Sequence, residues 1–425
     1  MVEMRASDIL RSVFELNGFA NIQTRGLEPL DELRRKGEIT KEVYVVRRLH
    51  ADASDADEMG LHFDLTVPFA RYVVDNAGRL NFPFRRYQIQ PAWRGERPQE
   101  GRYREFWQAD IDIVGESVLD FHHDAEVALV MLEACARLSA ELGIAPVRMR
   151  INNRKLIQGF YAGLGVSDPL AAIQAVDKLD KIGEQGVSAL LTEQGIASGE
   201  VAQILRFAAI QTSTPGFADM VRALGVGTED LDQGIAEVDQ LFQAVHEQFP
   251  DNVVVDCKIA RGLDYYTGSV FELELRGNES LGTICAGGRY DSLATDGRKT
   301  YPGVGISFGI TRVFAPLISK GLLVASRSVP SVVLVAVDSE DTRAQANAVA
   351  ALLRSRGISC EVSPNSQKYG KQIRFADRRG IPYVWFGGVD GQIKDIRSGD
   401  QADAGADQWT PPADDMAPKI LRADQ

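Results

Sequence analysis

The chain has 425 residues, of which 44% are hydrophobic and 25% charged, and its formal net charge is -12. This length predicts two or three domains of an ordinary globular protein, and the absence of a long apolar run excludes a membrane-spanning class. The four cysteines lie far apart, without the spacing of zinc or redox sites, so we expect buried free thiols in a reducing cytoplasm.

The first three quarters of the chain combine strand patterns with segregated helices. Residues 5–18 carry apolar positions at helical spacing and end at an Asn-Gly pair, which predicts a helix. A second helix is predicted at 124–142, and a helical stretch rich in Ala, Leu and Gln runs over about 167–247. Strands are predicted at 19–27, 43–49, 61–67, 82–90, 103–114, 253–258, 269–276 and 281–287, followed by a glycine-rich strand and helix at 303–314.

Near Ser328 the composition changes, and strand and helix patterns then alternate up to about residue 387. Alternation of this kind predicts a small doubly wound domain with a mixed sheet. The chain is therefore expected to form an α+β body at 1–328 and an α/β domain at 329–425. The acidic tail from residue 401 is rich in Asp, Ala and Pro, and we expect it to be poorly ordered.

One segment reverses the overall acidity of the chain. Between residues 85 and 104 there are six arginines against two glutamates, a local excess of four positive charges. The arginines precede an alternating strand pattern, which places several of them in a hairpin loop. Such a confined basic surface suits a polyphosphate, and it is compatible with a nucleic-acid partner despite the acidic net charge.

Three motifs give this pattern a family resemblance. Arg94-Gly-Glu96 resembles motif 2 of the class II aminoacyl-tRNA synthetases. The segments Arg261-Gly-Leu-Asp-Tyr-Tyr266 and Cys285-Ala-Gly-Gly-Arg-Tyr-Asp291 are similar to the two signatures of the histidyl-tRNA synthetase family. The resemblance extends from about residue 6 to about residue 400.

The resemblance implies a fold and a reaction. The fold would be a class II catalytic domain, with an antiparallel sheet flanked by helices, a helical insertion at about 167–247, and a C-terminal α/β anticodon-binding domain. The reaction would activate L-histidine with ATP and transfer it to the 3′ end of tRNA(His). The family also implies a cytoplasmic homodimer without membrane contact, and Mg²⁺ that arrives with ATP rather than at a dedicated metal site.

The first step of that reaction needs cations rather than a base. A carboxylate is ionised at neutral pH, so its attack on the α-phosphate requires positioning and neutralisation of charge, for which arginine is suited. By resemblance, Arg94 grips the α-phosphate, Arg102 and Arg312 hold ATP, and Glu96 orients the adenine or its loop. Arg261 would reach both the α-phosphate and the histidine carboxylate, so Arg94 and Arg261 are the candidate catalytic residues. Taken singly, each arginine is equally compatible with a surface ion pair.

Selection of histidine requires partners for two different ring nitrogens. By resemblance, Asp112 and Tyr266 bind the imidazole, and Tyr265 and Tyr290 line the pocket. Many bacterial members of the family carry Glu at the position of Asp112. For the tyrosines, packing in the core is the alternative role.

The α-ammonium group of histidine has its own predicted partners. Asp64 and Thr66 match the family pair that receives it, with help from Gln108. Two positions depart from the family pattern: Arg25 replaces the proline of motif 1, and Thr311 replaces the usual glutamate of motif 3.

The predicted tRNA contacts lie in two places. Arg97 and Gln99 belong to the motif 2 loop. In the C-terminal domain, four basic residues spaced three, three and four apart share one helix face, with Lys371 and Arg374 at its centre. A solvated charged face is the alternative for that helix, and a scaffold without tRNA contact is the alternative for the insertion. The adjacent His122 and His123 are interpreted as a surface pair, and no metal site is predicted.

Two other functions compete with the ligase. The regulatory subunit of ATP phosphoribosyltransferase shares the catalytic fold and binds histidine without charging tRNA. Such relatives typically lose the Arg261 signature and the anticodon-binding domain, and this chain carries both. A general nucleic-acid-binding module would not explain why the arginines, Asp112 and the tyrosine pair occur in one family order.

Overall fold

The structure is a computed structural model that describes residues 1–34, 42–50, 58–259, 262 and 265–423. Across these ranges the chain divides into two compact units. The larger unit is Glu3–Pro316, and the smaller unit combines Leu317–Gln425 with Met1–Val2. None of the helices in the described ranges is both long and apolar enough to cross a bilayer.

A nine-stranded sheet, counted over the described residues, forms the centre of the larger unit, in the order β1-β5-β6-β12-β11-β10-β7-β9-β8. The β1–β5 and β7–β9 pairs are parallel, and the other neighbours are antiparallel. Strands β2, β3 and β4 form a separate small sheet. The strands are β1 (Ala20–Asn21), β2 (Leu27–Pro29), β3 (Val45–Val46), β4 (Met59–Leu61), β5 (Phe84–Trp93), β6 (Glu105–Val114), β7 (Val147–Asn153), β8 (Gln211–Thr212), β9 (Val253–Asp256), β10 (Ser269–Leu275), β11 (Cys285–Tyr290) and β12 (Gly303–Gly309).

Helices cover the apolar face of this sheet and fill the long connection between β7 and β9. Helix α4 packs against β6, β7 and β12, and α10 packs along α5. The helices are α1 (Val2–Leu16), α2 (Leu30–Leu33), α3 (Thr66–Asn76), α4 (His122–Leu142), α5 (Arg154–Gly163), α6 (Pro169–Val176), α7 (Leu179–Glu193), α8 (Ser198–Ala208), α9 (Phe217–Arg222), α10 (Glu229–Gln248) and α11 (Ile310–Ser319).

Strand β6 explains how one sheet serves both a core and a site. Successive side chains of a strand point to opposite faces. Ala109, Ile111 and Ile113 are fully buried on the face that α4 covers. The residues between them, Gln108, Asp110 and Asp112, therefore share the other face. The alternation along β6 therefore places its polar side chains on the face of the sheet that is opposite the hydrophobic core.

The smaller unit contains a five-stranded mixed sheet, counted over the described residues, in the order β15-β14-β16-β17-β18. Val333, Val335, Leu353 and Trp385 are fully buried in one of its cores. The α+β fold with an added α/β domain is thus confirmed. The elements are β13 (Leu323–Ala325), β14 (Val333–Val335), α12 (Arg343–Ser355), β15 (Cys360–Val362), α13 (Tyr369–Arg378), β16 (Tyr383–Phe386), β17 (Asp390–Asp395), β18 (Gln401–Gly405) and β19 (Ile420–Arg422).

The expectation of a poorly ordered tail was wrong. Strand β18 pairs with β17, and β19 pairs with β13. Trp409 packs against Tyr383 with ring centroids 5.3 Å apart, and Asp415 forms a 2.8 Å ion pair with Arg397. Strand pairing, the Trp409 ring contact and the Asp415 ion pair therefore order the tail despite its polar composition.

Three strand predictions near the N-terminus were also wrong in extent, and the strand predicted over 43–49 is reduced to β3. Instead of a strand over 61–67, β4 ends at Leu61 and α3 begins at Thr66. The predicted strand over 19–27 is reduced to β1 and the start of β2. Between them, Arg25 directs its guanidinium to Glu28, with Nη2 3.0 Å from Oε2. Arg25, which replaces the proline of motif 1, therefore forms an ion pair with Glu28.

Candidate active site

Two adjoining cavities open on the polar face of the larger unit's sheet. We call the smaller one, about 140 Å³, the inner pocket and the larger one, about 350 Å³, the outer pocket. The inner pocket is lined by Asp64, Thr66, Arg94, Gln108, Asp110, Asp112, Tyr265, Tyr266, Ala286, Tyr290, Gly305, Ile306 and Ser307. The outer pocket is lined by Glu42, Arg94, Glu96, Gly101, Arg102, Tyr103, Phe106, Gln108, Thr283, Ile284, Cys285, Ala286, Ser307, Gly309 and Arg312.

Asp112 forms the floor of the inner pocket and is held from two sides. Its Oδ1 accepts a 2.7 Å hydrogen bond from the Tyr290 hydroxyl, and its Oδ2 lies 2.7 Å from Nη2 of the fully buried Arg86. Gly305 is directly opposite on β12, where a Cβ atom would lie 2.2 Å from Asp112 Oδ1. Glycine is thus required there to leave room for the carboxylate. Burial and the neighbouring Asp112 raise the pKa of Tyr290 well above its usual value, so the phenol stays a donor.

Asp110 lies one position further along the same face of β6. The residue is 2% exposed and lines the inner pocket. Among the described residues its Oδ1 has no hydrogen-bond partner. Burial raises the pKa of Asp110 to about 7, and the negative charge of Asp112 adds to the shift, while Arg86 and a hydrogen bond with Ser307 oppose it.

The wall between the two pockets is polar. Gln108 donates a 2.8 Å hydrogen bond from Nε2 to the Ser307 hydroxyl, so that its carbonyl oxygen is turned away from that contact. That oxygen is buried and, within the described part of the chain, has no hydrogen-bond partner. Asp64 accepts the backbone N–H of Val67 at 3.1 Å at the start of α3. These oxygens make the wall an acceptor surface for an ammonium group.

Two adjacent tyrosines close the inner pocket. The rings of Tyr265 and Tyr266 have centroids 4.2 Å apart. Burial raises the pKa of Tyr265, which keeps its hydroxyl protonated. Gly262 precedes them with a φ of +71°, and a Cβ atom there would lie 2.0 Å from the Tyr266 ring. The glycine of the signature thus permits the turn that places Tyr266.

The outer pocket is lined by arginines from three segments. Arg94 directly follows β5 and donates a 3.0 Å hydrogen bond from Nε to the Phe63 carbonyl, with its guanidinium 5.0 Å from the Phe106 ring centroid. Arg102 lies in the β5–β6 loop, with Nη1 3.3 Å from Oε2 of Glu96. A cavity bordered by several fixed guanidinium groups is suited to phosphate oxygens.

Arg312 reaches the outer pocket from the first turn of α11. Its Nε donates a 2.7 Å hydrogen bond to the Thr283 carbonyl, and Nη2 donates to the Leu281 carbonyl. The preceding Thr311 accepts the backbone N–H of Trp107 at 2.9 Å through its hydroxyl. The threonine that replaces the motif 3 glutamate therefore ties α11 to β6, while Arg312 keeps its place at the pocket.

The predicted tRNA-binding residues of the larger unit do not line these two pockets. Arg97 and Gln99 are exposed in the β5–β6 loop, where Gln99 and Arg102 exchange backbone hydrogen bonds, and neither lines the inner or the outer pocket. Arg261, predicted to be catalytic, lies outside the described residues. The remaining predictions for histidine and ATP lie together: six residues line the inner pocket alone, three line the outer pocket alone, and Arg94 and Gln108 line both.

The smaller unit carries the predicted basic helix face. Lys371 and Arg374 are exposed on α13, and both border a cavity of about 460 Å³ next to residues 363–367. On the opposite side of the helix, Ala376 is fully buried, and Gln372 exchanges hydrogen bonds with the backbone of Val337. The helix is thus anchored by one face and presents its cations on the other.

The prediction of a surface pair at His122 and His123 was wrong for His123, which is buried, while His122 is exposed. His122, His123 and Glu126 bring their ligand atoms within 4.8 Å of one another. However, Glu126 binds His123 Nδ1 at 2.8 Å with one oxygen and Arg85 with the other. Both carboxylate oxygens are thus already engaged within the protein.

The sequence interpretation missed Asp110, Ser307 and Arg86. A signal for Asp110 was present, because its two-residue spacing from Gln108 and Asp112 places all three on one face of a strand. Ser307 is directly opposite Asp110 on β12, and Arg86 is opposite Asp112 on β5. These two pairings depend on strand register, which the sequence pattern leaves open.

The chain is similar to known proteins along its whole length. The family described as "Histidyl-tRNA synthetase" matches residues 3–313, and the "Anticodon binding domain" matches residues 331–401. A protein named "Histidine--tRNA ligase" from Cutibacterium acnes is 56% identical over 99% of this chain and 95% of its own length.

Two solved structures also align with it. The crystal structure of histidyl-tRNA synthetase from Nostoc is 32% identical with a TM-score of 0.83, and covers 95% of this chain and 93% of its own. A structure described as an ATP phosphoribosyltransferase regulatory subunit/histidyl-tRNA synthetase, from Bacillus halodurans C, has a TM-score of 0.72 over 88% of this chain and 92% of its own. Its 18% identity supports likeness of fold alone.

Proposed function

The chain belongs to the histidyl-tRNA synthetase family and has histidine–tRNA ligase activity, and we propose that its inner and outer pockets form the site of histidine activation. One observation carries the proposal. Arg94, Gln108, Ala286 and Ser307 line both pockets. A small amino acid in the inner pocket would therefore direct its carboxylate towards the arginines of the outer pocket, where the phosphates of ATP would lie.

The inner pocket offers complementary groups for histidine. Asp64, Thr66 and the carbonyl oxygen of Gln108, which has no hydrogen-bond partner among the described residues, would receive the α-ammonium group, since all can accept its hydrogen bonds. At the other end, Asp112 and Tyr266 would define the imidazole subsite. The rings of Tyr265, Tyr266 and Tyr290 would exclude water around it.

The outer pocket would activate the carboxylate without a general base. One carboxylate oxygen of histidine bonds to the α-phosphorus, the bond between the α-phosphorus and the bridging oxygen breaks, and pyrophosphate leaves. Arg94 would neutralise charge on the α-phosphate, assisted by Arg261, while Arg102 and Arg312 hold the rest of ATP and Glu96 orients the adenine or its loop. A terminal ribose hydroxyl of tRNA then attacks the adenylate carbonyl, and AMP leaves.

Enzymes of this family use ATP, and the donor groups of the outer pocket suit its phosphates better than a bare divalent ion. The pocket is lined by three arginines, and one of its two carboxylates, Glu96, is engaged by Arg102. We therefore assign Mg²⁺ to the phosphates of ATP rather than to a dedicated protein site. Bound there, it would neutralise phosphate charge.

The tRNA would contact both units. Arg97 and Gln99 are exposed at the rim of the β5–β6 loop and would approach the acceptor end, with the helical insertion as a second contact. Lys371 and Arg374 border the cavity beside α13, within the segment that matches an anticodon-binding domain. Exposed cations beside a cavity suit a single-stranded loop.

Dimerisation and a cytoplasmic location complete the proposal. Helix α1 leaves Met4 and Leu16 more than 70% exposed, which supports a partner surface at motif 1. All four cysteines are free and buried, as is common for thiols in a reducing compartment.

Histidine-dependent exchange of pyrophosphate into ATP tests the activity without tRNA. The purified chain should catalyse exchange with histidine and not with glutamine or phenylalanine, which lack the two ring nitrogens. Charging of tRNA(His) should then follow under the same conditions. A protein that binds histidine without exchange would behave as a regulatory subunit and would overturn the proposal.

A further inference from the structure

The signature segment 285–291 contains two charged residues, Arg289 and Asp291, that line neither the inner nor the outer pocket. We propose that Asp291 is a positioning residue for the activation step, and that it acts through Thr267 on the segment 261–266. The inference rests on the proposed function, because that segment carries the proposed catalytic residue Arg261. One signature would thus hold the other in place.

Thr267 directly follows the first signature and is bonded to the second through its backbone and its side chain. Its N–H donates to the Arg289 carbonyl at 2.9 Å. Its hydroxyl lies 2.5 Å from Asp291 Oδ2 and 3.4 Å from the Arg289 carbonyl oxygen, so the carboxylate is the closer acceptor. A hydrogen bond to a charged acceptor is also the stronger one. The two signatures are therefore joined at Thr267.

Arg289 fixes the end of β11, directly before Asp291. Its side chain is largely buried, with Nη2 2.6 Å from Oδ2 of Asp124, and its Nη1 donates a 3.0 Å hydrogen bond to the Leu119 carbonyl. Asp124 lies in the first turn of α4, so the guanidinium ties β11 to that helix. Nη1 also lies 3.8 Å from Oδ1 of Asp291. Asp291 thus has the Arg289 cation beside one oxygen and the Thr267 hydroxyl beside the other.

The segment 261–266 is anchored on both sides. Asn152, which is fully buried on β7, donates a 2.8 Å hydrogen bond from Nδ2 to the Ile259 carbonyl before the segment, and Thr267 is bonded to the second signature after it. A transition-state donor must be held accurately, because a misplacement of about 1 Å can cost about 100-fold in rate. Loss of one anchor should therefore slow the chemical step more than it weakens the binding of ATP.

A double-mutant cycle in histidine-dependent pyrophosphate exchange tests the pair. Thr267→Val removes the hydroxyl and keeps the shape of the side chain, and Asp291→Ala removes the acceptor. We expect each variant to lower kcat by about 10-fold, with KM for ATP within about threefold of the unmodified protein. The double variant should be no slower than either single one, because both changes break the same bond. Thr267→Ser keeps the hydroxyl and should restore kcat to within about threefold.

Thr410→Val is the matched control, since the Thr410 hydroxyl also bonds to a charged group, Arg356 Nη2 at 3.0 Å, but belongs to the smaller unit. It should leave exchange unchanged. Thermal unfolding checks the fold of each variant, and the half-exposed position of Asp291 keeps Asp291→Ala informative if Thr267→Val does not fold.

Three results would overturn the assignment: a normal kcat in folded Asp291→Ala, additive losses in the double variant, or an equal loss of kcat in Thr267→Ser and Thr267→Val. A structural role alone would lower the unfolding temperature without changing kcat of the folded protein. Absence of exchange in the unmodified protein would instead overturn the proposed function itself.

Discussion

Arg86 and Asp112 face each other across β5 and β6, with Nη2 of the arginine 2.7 Å from Oδ2 of the aspartate. The Arg86 side chain is completely buried, and its guanidinium lies 4.2 Å from the Phe69 ring centroid. This pair joins the inner pocket to the hydrophobic core behind it. Its loss would therefore affect stability as well as substrate binding.

Replacement of Arg86 tests that link. Arg86→Met should lower the free energy of unfolding by about 3–5 kcal/mol, because it leaves Asp112 as an uncompensated buried charge. The adjacent Arg85→Met is the matched control, since its pair with Glu126 is partly exposed and should contribute less than about 1 kcal/mol. Urea-induced unfolding of the two variants measures the difference. Similar decreases in the free energy of unfolding for both variants would show that the buried Arg86–Asp112 pair stabilises the fold no more than a partly exposed pair does.

Asp112→Asn should weaken histidine use more than ATP use. The substitution removes the anionic acceptor that holds Tyr290 and leaves the charge of Arg86 to act on Asp110, so the imidazole subsite is disturbed while the outer pocket is untouched. Separate KM values for histidine and ATP in the exchange reaction provide the measurement. An equal rise in both values would indicate that Asp112 serves folding alone.

Arg261→Ala should reduce histidine-dependent exchange by about 100- to 1,000-fold, as expected for a lost transition-state donor. The prediction rests on the intact Arg-Gly-Leu-Asp-Tyr-Tyr signature and on the placement of Tyr265 and Tyr266 in the inner pocket. The exposed Arg222→Ala is the control and should exchange normally. Exchange within a few-fold of the unmodified protein, in a folded Arg261 variant, would remove this residue from the catalytic set.

Neutralisation of Lys371 and Arg374 to glutamine should raise the KM for tRNA and leave exchange unchanged. Fewer counterions would be released on binding, so the slope of log affinity against log salt should become shallower by about 1 to 2 units. Substitution of Lys419 and Arg422, basic residues of the same unit outside α13, provides a matched control. Aminoacylation that keeps its normal salt dependence would exclude this helix as the tRNA-facing surface.

Asp110→Asn should stabilise the protein, and more so at higher pH. Because burial raises the pKa of Asp110 from 3.8 to about 7, the folded state binds more protons than the unfolded state between those values. The stability of the unmodified protein therefore falls as pH rises through this interval, by up to about 1.4 kcal/mol per pH unit from this group. The advantage of the Asn variant should grow from pH 5 to pH 7 and then level off. Thermal unfolding without ligands measures it, and a constant difference across this range would contradict the raised pKa.

The sequence by itself determined the family, the fold class and eleven of the residues that line the two pockets. The motifs around Arg94 and Cys285 are local, and strand alternation places Gln108 and Asp112 on one face without knowledge of the partners. The order of strand and helix patterns after Ser328 was likewise sufficient to predict the α/β domain. The motifs and the strand and helix patterns can be read from short segments, because they depend on residue types and periodicity within each segment.

Only the tertiary structure decided which polar side chains of the inner pocket are hydrogen-bonded within the protein and which can bind a ligand. The pairing of β5, β6 and β12 sets Arg86 against Asp112 and Ser307 against Asp110, and a shift of one residue would have exchanged the faces. The same long-range pairing ordered the tail, where β18 and β19 find partners at 390–395 and 323–325. Contacts from distant segments hold Asp112, whereas the neighbouring Asp110 lines the cavity. The sequence could not show this difference, because burial and strand register are properties of the whole sheet.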